Sequence, residues 1–275
     1  MVRLEHDPTG LQLAEVSNDH CDAQVYLQGA HVTHWKPKGH QPVLFLSSRS
    51  HFKPGVAIRG GIPVILPWFG PRSDGQPGPA HGWARTALWT LEDSDKSSVL
   101  LTLPEKDGLR AAYRIGFESA LTLELAVENT SASHQSFQNA LHTYFEVADV
   151  RQCSVTGVEN ATYLDKTDGF ARKTAPDGPF HFERETDNVF NRTAATCEIH
   201  DPGNRRRIRI LKTGSNSTIV WNPWGPRTAT IADMGPDDWT RMLCVESGNV
   251  GSDAITLAPG ARHVMEVEIT VTSDE

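Results

Sequence analysis

Two runs of strict alternation constrain the fold of this chain more than any other feature. From Leu121 to Glu128, Leu121, Leu123, Leu125 and Val127 alternate with Thr122, Glu124, Ala126 and Glu128. From Val264 to Thr272, Met265, Val267, Ile269 and Val271 share one face. A period of two with one apolar face is the mark of a half-buried antiparallel strand. Further strands are expected at Leu11–Val16, Ala23–Leu27, His31–Lys36, Ala87–Glu92, Ser98–Leu103, Ser136–Val147, Ser154–Glu159, Ala195–His200, Arg207–Lys212, Ile219–Trp221 and Met242–Glu246. Turn signals such as Asp201-Pro202-Gly203-Asn204 and Ala258-Pro259-Gly260 punctuate them. No window keeps helical periodicity for three turns; Gly108–Tyr113 and Pro236–Arg241 are expected to give single helical turns. The pattern predicts an all-β protein, a large antiparallel β-sandwich with a few short helical turns. Without repeat, low-complexity tract or linker, residues 1–275 read as one domain, a length that such sandwiches reach.

Several function classes are disfavoured. A net charge of −8 argues against a nucleic-acid partner, since that affinity rests on neutralising phosphates. Neither GxxxxGK[ST] nor GxGxxG occurs, so no nucleotide cofactor is expected. No run reaches eighteen apolar residues and the N-terminus lacks an apolar signal region, so no membrane partner and a cytoplasmic location are expected. Cys21, Cys153, Cys197 and Cys244 form no CxxC pair and read as reduced, buried thiols. His31 and His34 would point to opposite faces of a strand, so no metal site is expected. The basic run Arg205, Arg206, Arg207, Arg209 and Lys212 reads as a solvated hairpin strand.

Chemistry concentrates in a few segments. In Ile58–Arg85, IRGGIPVILPWFGPRSDGQPGPAHGWAR, eleven of twenty-eight residues are Gly or Pro. It also carries Ile62, Val64, Ile65, Leu66, Trp68, Phe69 and Trp83, too many large apolar side chains for a flexible linker. It reads either as a structural connection or as a rigid rim whose Arg59, Arg72, His81 and Arg85 face a small anion. In Gln138–Val147, Leu141, Phe145 and Val147 suit a core face, whereas Gln138, His142, Tyr144 and Glu146 suit a cleft; His142 alone could equally be structural. In Met242–Asn249 a lone carboxylate, Glu246, ends an apolar strand, and so must be paired, hydrogen-bonded or functional. In Trp221-Asn222-Pro223-Trp224-Gly225, Trp221 could stack on a sugar and Asn222 bond its hydroxyls, or the segment could be a packed turn.

Taken in order, QGAHVTHW (Gln28–Trp35), IRGGIPVILPWFG (Ile58–Gly70), HGWAR (His81–Arg85), LHTYF (Leu141–Phe145), TDNVF (Thr186–Phe190), WNPW (Trp221–Trp224) and CVESGNV (Cys244–Val250) resemble the hexose-phosphate mutarotases of the aldose 1-epimerase family. The resemblance implies a galactose-mutarotase-like supersandwich and interconversion of the α and β anomers of a hexose 6-phosphate, glucose 6-phosphate first, with no cofactor. It implies that His142 and Glu246 are the catalytic pair and that Arg59, His81, Arg85 and Asp187 contact the sugar phosphate. Some members carry Gln where this chain has Ala80, and many carry Arg-Val-Tyr where it has Asn188, Val189 and Phe190. The chemistry calls for a base on the C1 hydroxyl and an acid on the ring oxygen, on opposite sides of the anomeric centre. Glu246 ionised at neutral pH would be the base and His142 the acid. A monomer with a small sugar phosphate as its partner is expected. Two other classes fit the same segments: a non-catalytic carbohydrate-binding or regulatory protein, and a hydrolase in which Glu146 supplies a second carboxylate.

Overall fold

A computed structural model of the chain describes residues 2–72 and 75–274. Among these, nine antiparallel strands form one sheet, in the spatial order Phe180–His181, Ser154–Thr156, Cys197–Asp201, Arg206–Thr213, Arg262–Ser273, Leu121–Asn129, Leu109–Phe117, Ser98–Lys106 and Thr90–Ser94. A second sheet runs Ala171–Thr174, Thr162–Asp165, Thr186–Asn191, Ser217–Asn222, Met242–Asn249, Asn139–Leu141 and Val64–Ile65; Tyr144–Glu146 also pairs with Met242–Asn249. An N-terminal meander of Val2–His6, Gln12–Ser17, Cys21–Tyr26 and His31–Pro37 completes the large sheets. The all-β expectation stands. Among the described residues the single α-helix is the five-residue Trp224–Thr228.

Both alternating runs bury the expected faces. Leu121, Leu123, Leu125 and Val127 are buried, as are Met265, Val267 and Ile269. They join one hydrophobic core that extends from Ala14 to Ile269 and includes Trp35, Trp89, Tyr113, Phe117, Phe145 and Phe190. Burial of such area is the main driving force for folding, roughly 25 cal/mol per Å² of apolar surface.

Three expectations need correction. Gly108–Tyr113 is no helical turn: Leu109–Phe117 is a strand with Leu109, Ala111, Tyr113, Ile115 and Phe117 buried. Asp107 and Gly108, both at positive φ, close a two-residue hairpin in which Lys106 faces Leu109. An Asp-Gly pair suits such a turn because both central residues need that conformation. Ser136–Val147 is three short strands, Gln135–Phe137, Asn139–Leu141 and Tyr144–Glu146, broken at His142 and Thr143. The basic strand is not solvated throughout, for Arg206 and Lys212 are buried. They fall in register with Ile208 and Ile210 on the inner face. Arg206 donates to Asp201 (3.1 Å) and to the carbonyls of Gln41, Pro42 and Glu146. Lys212 donates to the Ser217 carbonyl and to Thr218.

The Gly/Pro-rich segment is a pinned rim. Ile62, Val64, Ile65 and Leu66 are fully buried, and Val64–Ile65 pairs with Ala140 and Leu141. Gly60 and Gly61 take φ of 110° and 59°. A Cβ would come within 2.5 Å of the Phe45 carbonyl at Gly60 and 2.3 Å of the Val32 carbonyl at Gly61. Only glycine fits this bend, and the bend carries Arg59 beside the second sheet.

Candidate active site

The strand Met242–Asn249 is buried along its whole length and has neighbours on both edges. On one side Ile219 faces Glu246 and Trp221 faces Cys244. On the other, Leu141 faces Ser247 and Tyr144 faces Cys244. Two residues lie between the paired positions on each strand, so the register carries through the break and sets His142 opposite Glu246. The chain leaves the ladder there because the His142 N–H donates to the Pro63 carbonyl (3.0 Å) and the Thr143 N–H turns back to the Leu141 carbonyl. His142 Nε2 lies 3.4 Å from Glu246 Oε1. His142 Nδ1 and Glu246 Oε2 are buried without a hydrogen-bond partner. Tyr144 stacks on the His142 ring at 4.7 Å and 9°, and Trp221 meets it edge-on at 5.9 Å.

Burial sets the electrostatics. It lowers the His142 pKa well below the ordinary value of 6.5, with the charges of His81, Arg59 and Arg85 acting in the same sense. Burial likewise raises Glu246 well above 4.5; the charge of Asp187 adds to this and Lys166 opposes it. Each group therefore resists carrying charge alone, and together they hold one proton as a net-neutral pair. Burial thus opposes the expected ionised Glu246, whose carboxylate form depends on a protonated His142 beside it. The two groups stand side by side as cross-strand neighbours.

A cationic rim surrounds the pair. His81 sits at a positive φ of 66°, 5.6 Å from the His142 ring and 4.9 Å from Phe69. Its Nδ1 accepts from the Gly70 N–H at 3.3 Å, which leaves Nε2 as the protonated nitrogen of a neutral ring. Burial, then the charges of Arg85, Lys166 and Arg59, lowers its pKa to about 3. Arg59 donates from Nε to Asp233 (3.2 Å) and from Nη1 to the Tyr144 hydroxyl (2.9 Å). Arg85 donates from Nη2 to the Ala80 carbonyl (2.9 Å), and its Nε is buried without a partner. Among the described residues Arg85 makes no ion pair, so it is the less committed of the two guanidinium groups.

Asp187 falls in one row with Trp221, Cys244 and Tyr144 and pairs with Lys166 at 2.7 Å. Lys166 also lies over the Phe69 ring. Sequence reading missed Lys166, since a lysine between Asp165 and Thr167 carries no local mark of its place; only the pairing of Thr162–Asp165 with Thr186–Asn191 brings it in.

Three expected residues lie outside this arrangement. The Asn222 side chain is fully buried and committed internally, donating to the Trp239 and Met242 carbonyls and accepting from the Trp224 N–H. It holds the turn after the strand. Glu146 is paired with Arg241 at 2.9 Å and offers no free second carboxylate. Arg72 stacks on Trp68, away from His142.

Residues 12–270 match the aldose 1-epimerase family. A protein of Cenchrus ciliaris named "Putative glucose-6-phosphate 1-epimerase" is 33% identical, with 94% of this chain and 84% of that protein covered. One of the same name from Escherichia coli is 35% identical, with coverage of 86% and 83%. A crystal structure described as a "putative mutarotase" from Salmonella typhimurium superposes with a TM-score of 0.88 at 27% identity, covering 99% and 97% of the two chains. A galactose mutarotase related enzyme of Lactobacillus acidophilus shares the fold at a TM-score of 0.76 and 14% identity, covering 95% and 97%.

The Asn222 geometry has a direct test. Asn222→Ala leaves two carbonyls and an N–H without partners, and is expected to lower stability by about 1–3 kcal/mol in urea denaturation. The affinity of the site for its ligand should stay unchanged, whereas a direct contact role would weaken it.

Proposed function

Because this chain belongs to the aldose 1-epimerase family, we propose that it interconverts the α and β anomers of a hexose 6-phosphate, with glucose 6-phosphate the first candidate. The observation that carries this reading is the His142–Glu246 pair: two buried proton-transfer groups 3.4 Å apart, enclosed by Arg59, Arg85 and Lys166. The hexose 6-phosphate assignment draws support from the names of relatives and from the cationic rim.

In the proposed mechanism Glu246 as carboxylate takes the proton of the C1 hydroxyl while protonated His142 gives a proton to the ring oxygen. The C1–ring oxygen bond breaks and the open aldehyde forms. Rotation about C1–C2 presents the other carbonyl face. On closure, Glu246 returns a proton to the former carbonyl oxygen and His142 takes one from the attacking hydroxyl. Side-by-side placement suits this exchange, because both oxygens are bonded to the same carbon. The pair begins and ends with one proton, which is the state its burial favours. Arg85 grips the phosphate with its uncommitted donors, and Arg59 adds the N–H groups it does not give to Asp233 and Tyr144; a guanidinium fork matches phosphate oxygens. Neutral His81, Asp187 and Trp221 line the sugar. A hydrolase would need a second available carboxylate, and Glu146 and Asp187 are both held in ion pairs.

Three outcomes follow. His142→Ala and Glu246→Gln should each slow anomerisation by about 10²- to 10⁴-fold in polarimetry, with unchanged melting behaviour; near wild-type rates in either variant would refute the pair. Arg85→Ala should raise KM for glucose 6-phosphate by about 10- to 100-fold, the loss of a charged hydrogen bond, with little effect on free glucose. An equal effect on both sugars would remove Arg85 from the phosphate site. A second proton on the pair is opposed by burial and by Arg59 and Arg85, while loss of its one proton is opposed by burial and Asp187. The kcat for free glucose should therefore stay level through neutral pH and fall on acidification only below the ordinary histidine value of 6.5. A sigmoidal loss centred at 6.5 would mean that His142 titrates as if in water.

A further inference from the structure

One buried nucleophile beside the pair has no part in the mechanism. Cys244 and Glu246 are two residues apart on the strand Met242–Asn249, so their side chains leave by the same face. The thiol of Cys244, the carboxylate of Glu246 and the imidazole of His142 bring one ligand atom each within 4.8 Å of one another. Cys244 is 0% exposed, Glu246 1% and His142 7%. The orphaned His142 Nδ1 and Glu246 Oε2 show that internal hydrogen bonding does not saturate the group.

The spacing is informative. A charge-assisted N–H···O bond spans about 2.7–2.9 Å, shorter than the 3.4 Å between His142 Nε2 and Glu246 Oε1. With Zn–N and Zn–O bonds of about 2.0–2.1 Å, the N···O edge of a tetrahedron is about 3.3–3.4 Å. Mixed sulfur, nitrogen and oxygen donors suit Zn²⁺ or Co²⁺ and not Mg²⁺ or Ca²⁺, which take oxygen. Thiolate and carboxylate together supply two negative charges, and three protein ligands leave a fourth position open to solvent or an anion.

We propose that His142, Cys244 and Glu246 form a binding site for a thiophilic divalent cation, Zn²⁺ in particular, and that occupancy switches the site off by sequestering the acid–base pair. Binding forms Zn–S, Zn–N and Zn–O bonds without redox change. The Cys244 thiol and the His142–Glu246 pair each release one proton to water. The inhibitory consequence rests on the function proposed above, whereas the metal site does not.

Cobalt(II) titration separates the two. The metal-free full-length protein should take up one Co²⁺ with a thiolate-to-cobalt charge-transfer band in the near ultraviolet and visible d–d bands. Cys244→Ala and Cys244→Ser should both lose the charge-transfer band while keeping the wild-type circular dichroism spectrum and anomerisation rate without metal. Zn²⁺ should inhibit the wild type reversibly, with activity restored by EDTA, and either variant should be less sensitive by at least about tenfold. Absence of the thiolate band in the wild type, or its persistence in Cys244→Ala, would overturn the site. A thiolate–cobalt complex in a protein that shows no anomerisation would uphold the site and defeat the enzymatic reading.

Discussion

The site depends on one buried strand paired on both edges. Met242–Asn249 takes Ser217–Asn222 on one side and two short strands on the other, and the register is kept through the break at His142 and Thr143. Because side chains alternate with a period of two, a slip of one residue would turn Glu246 and Cys244 to the opposite face and send Val245 toward His142. The same break frees the His142 N–H from the ladder and ties it to Pro63, so the Gly/Pro-rich rim and the acid–base pair are built against each other.

Charge placement follows from that burial. A buried carboxylate or imidazole pays a desolvation penalty in its charged form, which drives His142 and Glu246 toward one shared proton. Around them the rim is largely neutralised in advance: Arg59 by Asp233, Lys166 by Asp187. Arg85 stands apart, since among the described residues it donates to the Ala80 carbonyl and makes no ion pair. A preorganised donor of this kind can meet an anion without reorganising.

Much of the fold was legible because its signals are local. The alternating runs at Leu121–Glu128 and Val264–Thr272 needed no partner to be recognised, and the apolar content of Ile58–Arg85 marked it as pinned. The errors were also local. Gly108 was read toward a helical turn although Asp107-Gly108 is a hairpin signal. The basic run reads as solvated although Arg206 and Lys212 share the parity of Ile208 and Ile210, and so the inner face. In the site, His142, Glu246, Arg59, His81, Arg85, Asp187 and Trp221 do gather, whereas Asn222 points into the turn it stabilises. Lys166 and Cys244 gave no sign, since neither a lysine in a polar run nor a cysteine in an apolar one departs from its surroundings.

The sequence by itself determined the strand periodicity, the pinned character of the Gly/Pro-rich segment, and the ordered motifs that mark the aldose 1-epimerase family. These are properties of neighbouring residues or of the chain read in order. Tertiary structure alone decided that His142 stands 3.4 Å from Glu246, with Cys244 close by and Arg85 without an acidic partner among the described residues. It also decided that the pair is pushed toward a net-neutral state with a single proton between its two groups. The reason is that cross-strand register joins residues about a hundred positions apart, and burial by many such neighbours fixes a pKa that no local pattern encodes.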